Sequence, residues 1–311
     1  MISLVIPAYN EEDNIGPILL RITEVMQNAK EDYEIIFVND GSSDDTLNRI
    51  KAFTETYPEL KYISLSRNFG HQNALKAGLD FALGEAVISM DADMQHPPEM
   101  ILQFLEKWRE GFDVVYSIRK ESKSSGFFKN LTSNSFYGII NSLSDIKIEP
   151  GSADFRLMDR KVLNVLTKLN ENELFIRGLI PWIGFKQIGL DYFPDKRHSG
   201  ESKYTLNKMI RLGLQGITSF SIRPLYTATY LGIGFSVLSI IVYVPYILIS
   251  FYSGNAVEGW SSVLATVVFL GGLQLMILGI MGIYLGKLFM QSKNRPNYIV
   301  GETNFKLENH R

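Results

Sequence analysis

Two hydrophobic periods alternate over the first 120 residues. Ser3–Pro7 is a short apolar run of strand type. Asn14–Gln27 then places Ile15, Ile18, Leu19, Ile22 and Val25–Met26 on one helical face. The alternation continues with strands at Glu34–Val38, Lys61–Ser64, Ala86–Met90 and Val114–Ser117. Helices are predicted at Asp44–Tyr57, Gln72–Leu83 and Pro98–Glu110, with Ser43 or Asp44 placed to cap the first of these three. This rhythm predicts an α/β fold, a mostly parallel sheet with helices on both faces. Ligands of such sheets bind beyond the carboxyl ends of the strands.

The pattern changes after Arg223. The next charged residue is Glu258 and the one after it Lys287, which leaves uncharged stretches of 34 and 28 residues. About 20 apolar residues cross a bilayer core, so transmembrane helices are predicted near Tyr226–Tyr252 and Ser262–Leu285. Pro245 would kink the first, which membrane helices tolerate. The loop between them, about residues 253–261, has no Lys or Arg, whereas Lys203, Lys208, Arg211, Arg223, Lys287, Lys293 and Arg295 flank the pair. The positive-inside rule puts both termini and the large domain in the cytoplasm of a multi-pass protein of the cell membrane. Met1–Ala8 lacks the basic start and long apolar core of a signal peptide. Between domain and membrane, Leu206, Met209, Ile210, Leu214, Ile217 and Phe220 recur at three- and four-residue spacing. That spacing predicts an interfacial amphipathic helix; a core helix of the soluble domain is the other reading. The expected divisions are a domain over 1–200, an interfacial region over 201–223, a hairpin over 224–290 and a tail over 291–311.

Composition sharpens this. Among 311 residues, 31 Lys+Arg nearly cancel 33 Asp+Glu, so bulk charge does not point to nucleic acid. A mean hydropathy of +0.02 is high for a soluble domain and follows from averaging a charged domain with an uncharged hairpin. With no Cys, disulfides, iron–sulfur and Cys–zinc sites and a Cys nucleophile are excluded.

Polar residues gather where the strands end: Pro7-Ala8-Tyr9-Asn10-Glu11, Asn39-Asp40-Gly41-Ser42, Arg67-Asn68-Phe69-Gly70-His71 and Asp91-Ala92-Asp93-Met94-Gln95-His96. Each alone is compatible with turn chemistry; four on one sheet edge point to a site. Without a GxGxxG run, dinucleotide cofactors are not favoured. Asp91 and Asp93 are two apart, and in extended backbone such side chains point the same way. A hard divalent ion, Mg²⁺ or Mn²⁺, suits such a pair, often with substrate phosphates completing its shell. His71 and His96 read as loop hydrogen-bonding groups rather than metal ligands. Asp159 and Arg160 read as a helix start.

These segments resemble the family 2 glycosyltransferases, on PAYNE at 7–11, VNDGSSDDT at 38–46, SRNFGHQNAL at 66–75 and MDADMQHPPE at 90–99. ADFRLMDR at 153–160, RGLIPWIGF at 177–185, RHSGESKY at 197–204 and the two apolar stretches extend the likeness to the branch that glycosylates polyprenyl phosphates. The resemblance implies a nucleotide-sugar-binding, GT-A-like fold. It implies inverting transfer of one hexose, glucose from a UDP-linked donor, onto polyprenyl phosphate. Pro7, Ala8, Tyr9, Glu11, Asp40 and Asn68 would hold the nucleoside, with Asp40 accepting from the base. Asp91, Ala92 and Asp93 would face the ribose and diphosphate, with Asp91, Asp93 and Gln95 around the metal. Asp154 would sit by the acceptor, and Arg119, Arg197, Ser202 and Lys203 would take phosphate groups; Arg177 reads equally as a lipid-phosphate contact or as an ion-pair partner. A homo-oligomer is compatible with all of this.

One departure stands out. The branch carries two arginines in the loop after the fifth strand, whereas Arg119–Ser125 supplies one Arg and two Lys. Lysine meets phosphate as a point charge rather than a fork. Two rival readings are a processive polysaccharide synthase and a non-catalytic membrane scaffold. The first lacks its Gln-x-x-Arg-Trp motif here, and the intact Asp-x-Asp argues against the second.

Overall fold

The computed structural model describes residues 1–120, 149, 151–171, 174–193, 221–252 and 259–306. The expected interfacial helix, and Arg197, Ser202 and Lys203 with it, lie outside the described residues, as does most of the 119–125 loop.

The predicted βα units form nearly as spaced. They are β1 (Ile2–Ala8), α1 (Ile15–Ala29), β2 (Tyr33–Asn39), α2 (Thr46–Thr54), β3 (Leu60–Leu65), α3 (His71–Phe81), β4 (Ala86–Ser89), α4 (Met100–Arg109) and β5 (Val114–Arg119). Helix α1 buries the predicted stripe of Ile15, Ile18, Leu19, Ile22, Val25 and Met26. It ends where Lys30 turns left-handed, at φ 54°. Asp44 Oδ1 accepts the backbone N–H of Thr46, the first residue of α2, at 3.1 Å.

The chain then supplies β6 (Ser152–Asp159), α5 (Arg160–Leu166), α6 (Ile176–Ile183), β7 (Gln187–Tyr192), the long helices α7 (Arg223–Tyr252) and α8 (Trp260–Ser292), and β8 (Val300–Thr303). Asp159 caps α5 by accepting from Lys161 N at 2.9 Å, the helix start expected there. The 8-stranded sheet runs β7-β5-β6-β4-β1-β2-β3-β8. Its pairings β1–β2, β1–β4, β2–β3 and β5–β7 are parallel. Strand β6 is antiparallel to both neighbours, and β8 to β3. The sheet is therefore mixed, and its parallel majority lies in the first half of the chain. Because β6 runs against β4, its first residues, Ala153 and Asp154, lie level with the carboxyl end of β4 (Ser89 pairs with Arg156). An antiparallel strand thus delivers its beginning to the edge where the parallel strands deliver their ends.

Two apolar layers sandwich the sheet. Leu4, Ile6, Phe37, Ile88, Phe155 and Leu157 pack under α1 and α4. Val5, Val38, Ile63, Val87 and Met158 pack under α3, α5 and α6. Full burial of such side chains stabilises by about 1.5–3 kcal/mol each, and the site rests on this rigid slab.

Helices α7 and α8 pack antiparallel: Phe235 and Phe269 meet edge to face at 5.3 Å, and Tyr284 OH donates to Ser221 O at 2.7 Å. Tyr230, Leu275 and Leu285 are exposed, an apolar surface that asks for a non-aqueous neighbour. Among the described residues one segment is long and apolar enough to cross a membrane, Phe269–Ser292, 24 residues of mean hydropathy 1.8. The first expected span is a continuous helix through Pro245, but several of its apolar side chains, Ile240, Val244 and Leu248 among them, lie outside the described set. Beyond α8 the chain returns to the domain as β8. There Asn304 Oδ1 accepts from Tyr62 N at 2.9 Å and Tyr298 OH donates to Asp80 Oδ2 at 2.8 Å.

Candidate active site

The loops after β1, β2, β3 and β4 converge on one sheet edge. The first two are laced together. Asn10 N donates to Ser42 Oγ at 3.0 Å, Ser43 N to Asn10 Oδ1 at 2.9 Å, and Glu11 N to Thr46 Oγ1 at 2.9 Å. Pro7 and Ala8 are buried at the end of β1, whereas the Tyr9 ring is 44 % exposed. The Glu11 carboxylate accepts from Asn14 Nδ2 at 2.5 Å.

Asp40 joins the second loop to the third. Its two carboxylate oxygens accept the backbone N–H groups of Phe69 and Gly70 at 2.7 and 2.9 Å. Burial pushes its carboxyl above the ordinary range, against the pull of those two bonds. Gly41 follows at φ +63°, where a Cβ would lie 2.5 Å from the Arg67 carbonyl carbon; only glycine lets the loops approach this closely. Asn68 is exposed, its carbonyl accepting from Arg67 Nη1 at 3.0 Å.

The Asp91–Asp93 pair departs from its expected geometry. Strand β4 stops at Ser89, residues 92 and 93 form a turn, and Met94 has φ 63°. Asp93 Oδ1 accepts the Gln95 backbone N–H at 3.1 Å, the bond that draws Asp into turns. The extended argument for two parallel side chains therefore fails, and a turn presents the pair instead. His96 is buried against Phe155, with ring centroids 5.1 Å apart, and its Nδ1 accepts from Asp91 N at 3.2 Å. That is the expected loop hydrogen bond. Ala92 is buried beneath the turn.

The residues suit a divalent cation. The donors are oxygens, and Asp91 Oδ1 is buried without a hydrogen bond among the described residues, its near polar neighbour being His71 Nε2 at 3.4 Å. One or two carboxylates with substrate phosphates is the habit of Mg²⁺. Among the described residues no three His, Asp or Glu side chains form a metal cage by themselves. Gln95 Oε1 accepts from Arg119 Nη1 at 3.1 Å, which draws Arg119 to the same turn. Tyr192, at the end of β7, is buried nearby. Burial first, with Asp91 and Asp93 adding to it and Arg119 opposing, pushes its hydroxyl up to about 12, so it stays a neutral donor.

Asp154 lies deeper, its side chain 3 % exposed. Arg177, in the first turn of α6, grips it through Nε–Oδ1 and Nη2–Oδ2. Gln72 Nε2 donates to Oδ2 at 3.3 Å and its Oε1 accepts from Ile176 N at 3.1 Å, tying α3, β6 and α6 together. Arg156 Nη2 stands 3.7 Å from Oδ1. Burial would raise the Asp154 carboxyl, but Arg177, foremost, and His71 hold it well below the usual carboxylate range. His71 Nε2 is 3.4 Å from both Asp91 Oδ1 and Asp154 Oδ2. Desolvation opposes its charge, yet the two carboxylates lift it to about 9.

The edge therefore offers a polar rim of hydrogen-bonded loops that exposes the Tyr9 ring, a carboxylate turn beside an arginine, and a buried carboxylate beside two more. Residues 3–167 match the family model described as Glycosyl transferase family 2. The chain belongs to this family. It is 43 % identical to the glycosyltransferase YkcC of Bacillus subtilis (strain 168), over 99 % of this chain and 95 % of that one. It is 40 % identical to the bactoprenol glucosyl transferase of Shigella phage SfV, over 96 % and 97 %. Among solved structures, glucosyl-3-phosphoglycerate synthase from Mycobacterium tuberculosis, in complex with Mn²⁺, UDP and phosphoglyceric acid, is similar at 20 % identity. It covers 70 % of this chain and 76 % of its own, with a TM-score of 0.48. The chain is a glycosyltransferase. Three site residues went unassigned in the sequence: Gln72, Arg156 and Tyr192; Arg177, open there between the lipid phosphate and an ion pair, is ion-paired with Asp154. Arg156 and Gln72 sit in quoted motifs but only the antiparallel β6 brings them together; Tyr192 carries no motif at all.

A cavity of about 1270 Å³ lies elsewhere, between α3, α5 and the segment after α8, lined by Lys76, Asp80, Arg160, Lys168, Arg295 and Tyr298. It shares no residue with the edge described above.

Proposed function

We propose that this glycosyltransferase moves one hexose, glucose, from UDP-glucose to polyprenyl phosphate at the cytoplasmic face of the membrane, with inversion. The observation that carries this reading is the 40 % identity to a bactoprenol glucosyl transferase over 96 % of the chain, apolar helices included. The reading keeps the two-span hairpin and the division of the chain at 200, 223 and 290.

Tyr9, Asp40 and Asn68 take the nucleoside, with Pro7, Ala8 and Glu11 shaping the rim and Ala92 the floor. Asp91 and Asp93, with Gln95, take a divalent ion, which would supply charge stabilisation for the departing diphosphate. Arg119 adds a side-chain charge beside that turn, and Arg197, Ser202 and Lys203 complete the phosphate contacts.

The reaction balances without a proton. A phosphate monoester has a second pKa near 6, so the acceptor oxygen arrives charged. It forms a bond to the anomeric carbon while the bond from that carbon to the diphosphate breaks. The leaving nucleoside diphosphate keeps the electron pair and one more negative charge; the acceptor, now a diester, carries one fewer. Asp154, a buried ionised carboxylate, then has no proton to take and serves as the counter-charge of the arginines beside it.

Mass spectrometry of the lipid product, with purified protein, polyprenyl phosphate and a panel of nucleotide-sugars, tests this. The expected product is a single hexose on the lipid phosphate, formed from UDP-glucose. A polymer, or no donor-dependent labelling, refutes the reading.

A further inference from the structure

Two arginines face one carboxylate at Asp154, and they differ in kind. Arg156 belongs to the middle of β6. Its side chain is 4 % exposed, Nη2 donates to Ala153 O at 2.6 Å, and Nε is buried without a hydrogen-bond partner among the described residues. Arg177 sits at the start of a short helix with its side chain 30 % exposed. Arg156 is enclosed by the domain and held by Ala153 O. Arg177 can swing outward on its own side chain.

We propose that Arg177 is an exchangeable ligand: it leaves Asp154 for the phosphate of the acceptor, while Arg156 remains as the fixed counter-charge of Asp154. This rests on the lipid-phosphate reading above.

A buried carboxylate that loses its only cation pays heavily in desolvation. Asp154 is spared this. With Arg177 gone, Oδ1 keeps Arg156 at 3.7 Å, and Oδ2 keeps Gln72 at 3.3 Å and His71 at 3.4 Å. The second guanidinium is therefore surplus to Asp154. A guanidinium fork fits carboxylate and phosphate alike, so Nε and Nη2 can exchange one anion for the other with the same two bonds. The resting pair keeps the fork ordered and off other anions until a stronger one arrives. Arg156 is then a positioning residue, and Arg177 the one that touches substrate.

The experiment is calorimetric binding of farnesyl phosphate, a short polyprenyl monophosphate, to the full chain in detergent without donor. Wild type, Arg177→Gln, Arg177→Lys, Asp154→Asn and the double variant Asp154→Asn/Arg177→Gln are compared, with thermal melts to verify folding. Arg177→Gln should weaken binding at least tenfold and Arg177→Lys less. Asp154→Asn, which takes the carboxylate away from the fork, should bind as tightly as wild type or tighter, and the double variant should match Arg177→Gln. Equal weakening by Asp154→Asn and Arg177→Gln would mean that Arg177 only supports Asp154, and the exchange is wrong. Wild-type affinity in Arg177→Gln overturns it as well. If Arg177→Gln fails to fold, Arg177→Lys against Asp154→Asn decides by the same opposition. Wild type that binds UDP-glucose but not farnesyl phosphate removes the lipid-phosphate reading itself, and the exchange with it.

Discussion

Arg177 holds Asp154 by two bonds of equal length, Nε to Oδ1 and Nη2 to Oδ2, each 2.8 Å. Helix α6 and strand β6 are thereby joined across the site. The Asp154 charge is a structural component as well as a chemical one.

Asp154→Asn should therefore cost stability. It leaves Arg156 and Arg177 without their shared anion, and removing one partner of a buried pair costs about 3–5 kcal/mol. An isosteric amide that still accepts bonds puts this case toward the lower end. The effect depends on pH with a definite sign. The folded carboxyl lies well below its ordinary 3.8, so its contribution is present above about pH 4 and lost as pH falls through the folded value. Urea midpoints of wild type and variant should converge below pH 4 and differ fully at pH 7.

His71 works in the opposite direction. Its folded value of about 9 lies above the ordinary 6.5, so its contribution is complete below pH 6.5 and lost as pH rises through 9. The ring is 42 % exposed, and solvent screening reduces the amplitude. His71→Gln should flatten the stability profile between pH 6.5 and 9.5, and should shift the acid limb toward higher pH in part, because His71 helps Arg177 hold the Asp154 carboxyl down. A wild-type slope in the variant would assign that titration to another group.

The parallel half of this site was legible in the chain because each βα unit announces itself locally. Period 3.6 follows period 2, and the polar tips at Tyr9, Asp40, Asn68 and Asp91 fall where the strands must end. The other half was not. Ser152–Asp159 alternates like any half-buried strand, and nothing local says that it runs antiparallel between β4 and β5. That pairing alone sets Asp154 and Arg156 against Gln72 and Arg177. Strand β8 likewise depends on a return of the chain after α8 that four residues cannot signal. The turn at Asp91–Asp93 is not legible as one because Asp bonding to the backbone N–H two residues on competes with strand extension. Asp159, by contrast, was legible, since capping is local.

Metal dependence should track the carboxylate turn. Asp93→Ala and Asp91→Asn should each lower kcat at least 100-fold, a loss of about 2.7 kcal/mol or more in transition-state stabilisation. EDTA should abolish wild-type turnover, and excess Mg²⁺ or Mn²⁺ should restore it in wild type only. Because Asp93 also accepts from Gln95 N, Asp93→Asn is the informative control: it keeps the turn and loses the charge. Near-normal kcat in Asp93→Asn at saturating metal would assign Asp93 to the turn alone.

The last prediction separates the nucleoside end from the acceptor end. Gly41→Ala would set a Cβ 2.5 Å from Arg67 C and 2.6 Å from Asn68 N, at φ +63°. Both obstacles are backbone, so no rotamer relieves them. The β3–α3 loop must retreat, and Phe69 N and Gly70 N with it, from Asp40. Gly111→Ala is the matched control. It has φ +89° but nothing within 4 Å of its Cβ, so it carries only the left-handed strain of about 1–2 kcal/mol. Both variants should lose stability, Gly41→Ala by more. Only Gly41→Ala should raise the KM for the nucleotide-sugar, by about tenfold, with farnesyl phosphate binding unchanged. If the two variants keep the same donor KM, the Asp40 bridge does not shape the nucleoside rim. If Gly41→Ala weakens donor and acceptor equally, the two ends are one cooperative site, and Gly41 acts through the sheet rather than through Asp40.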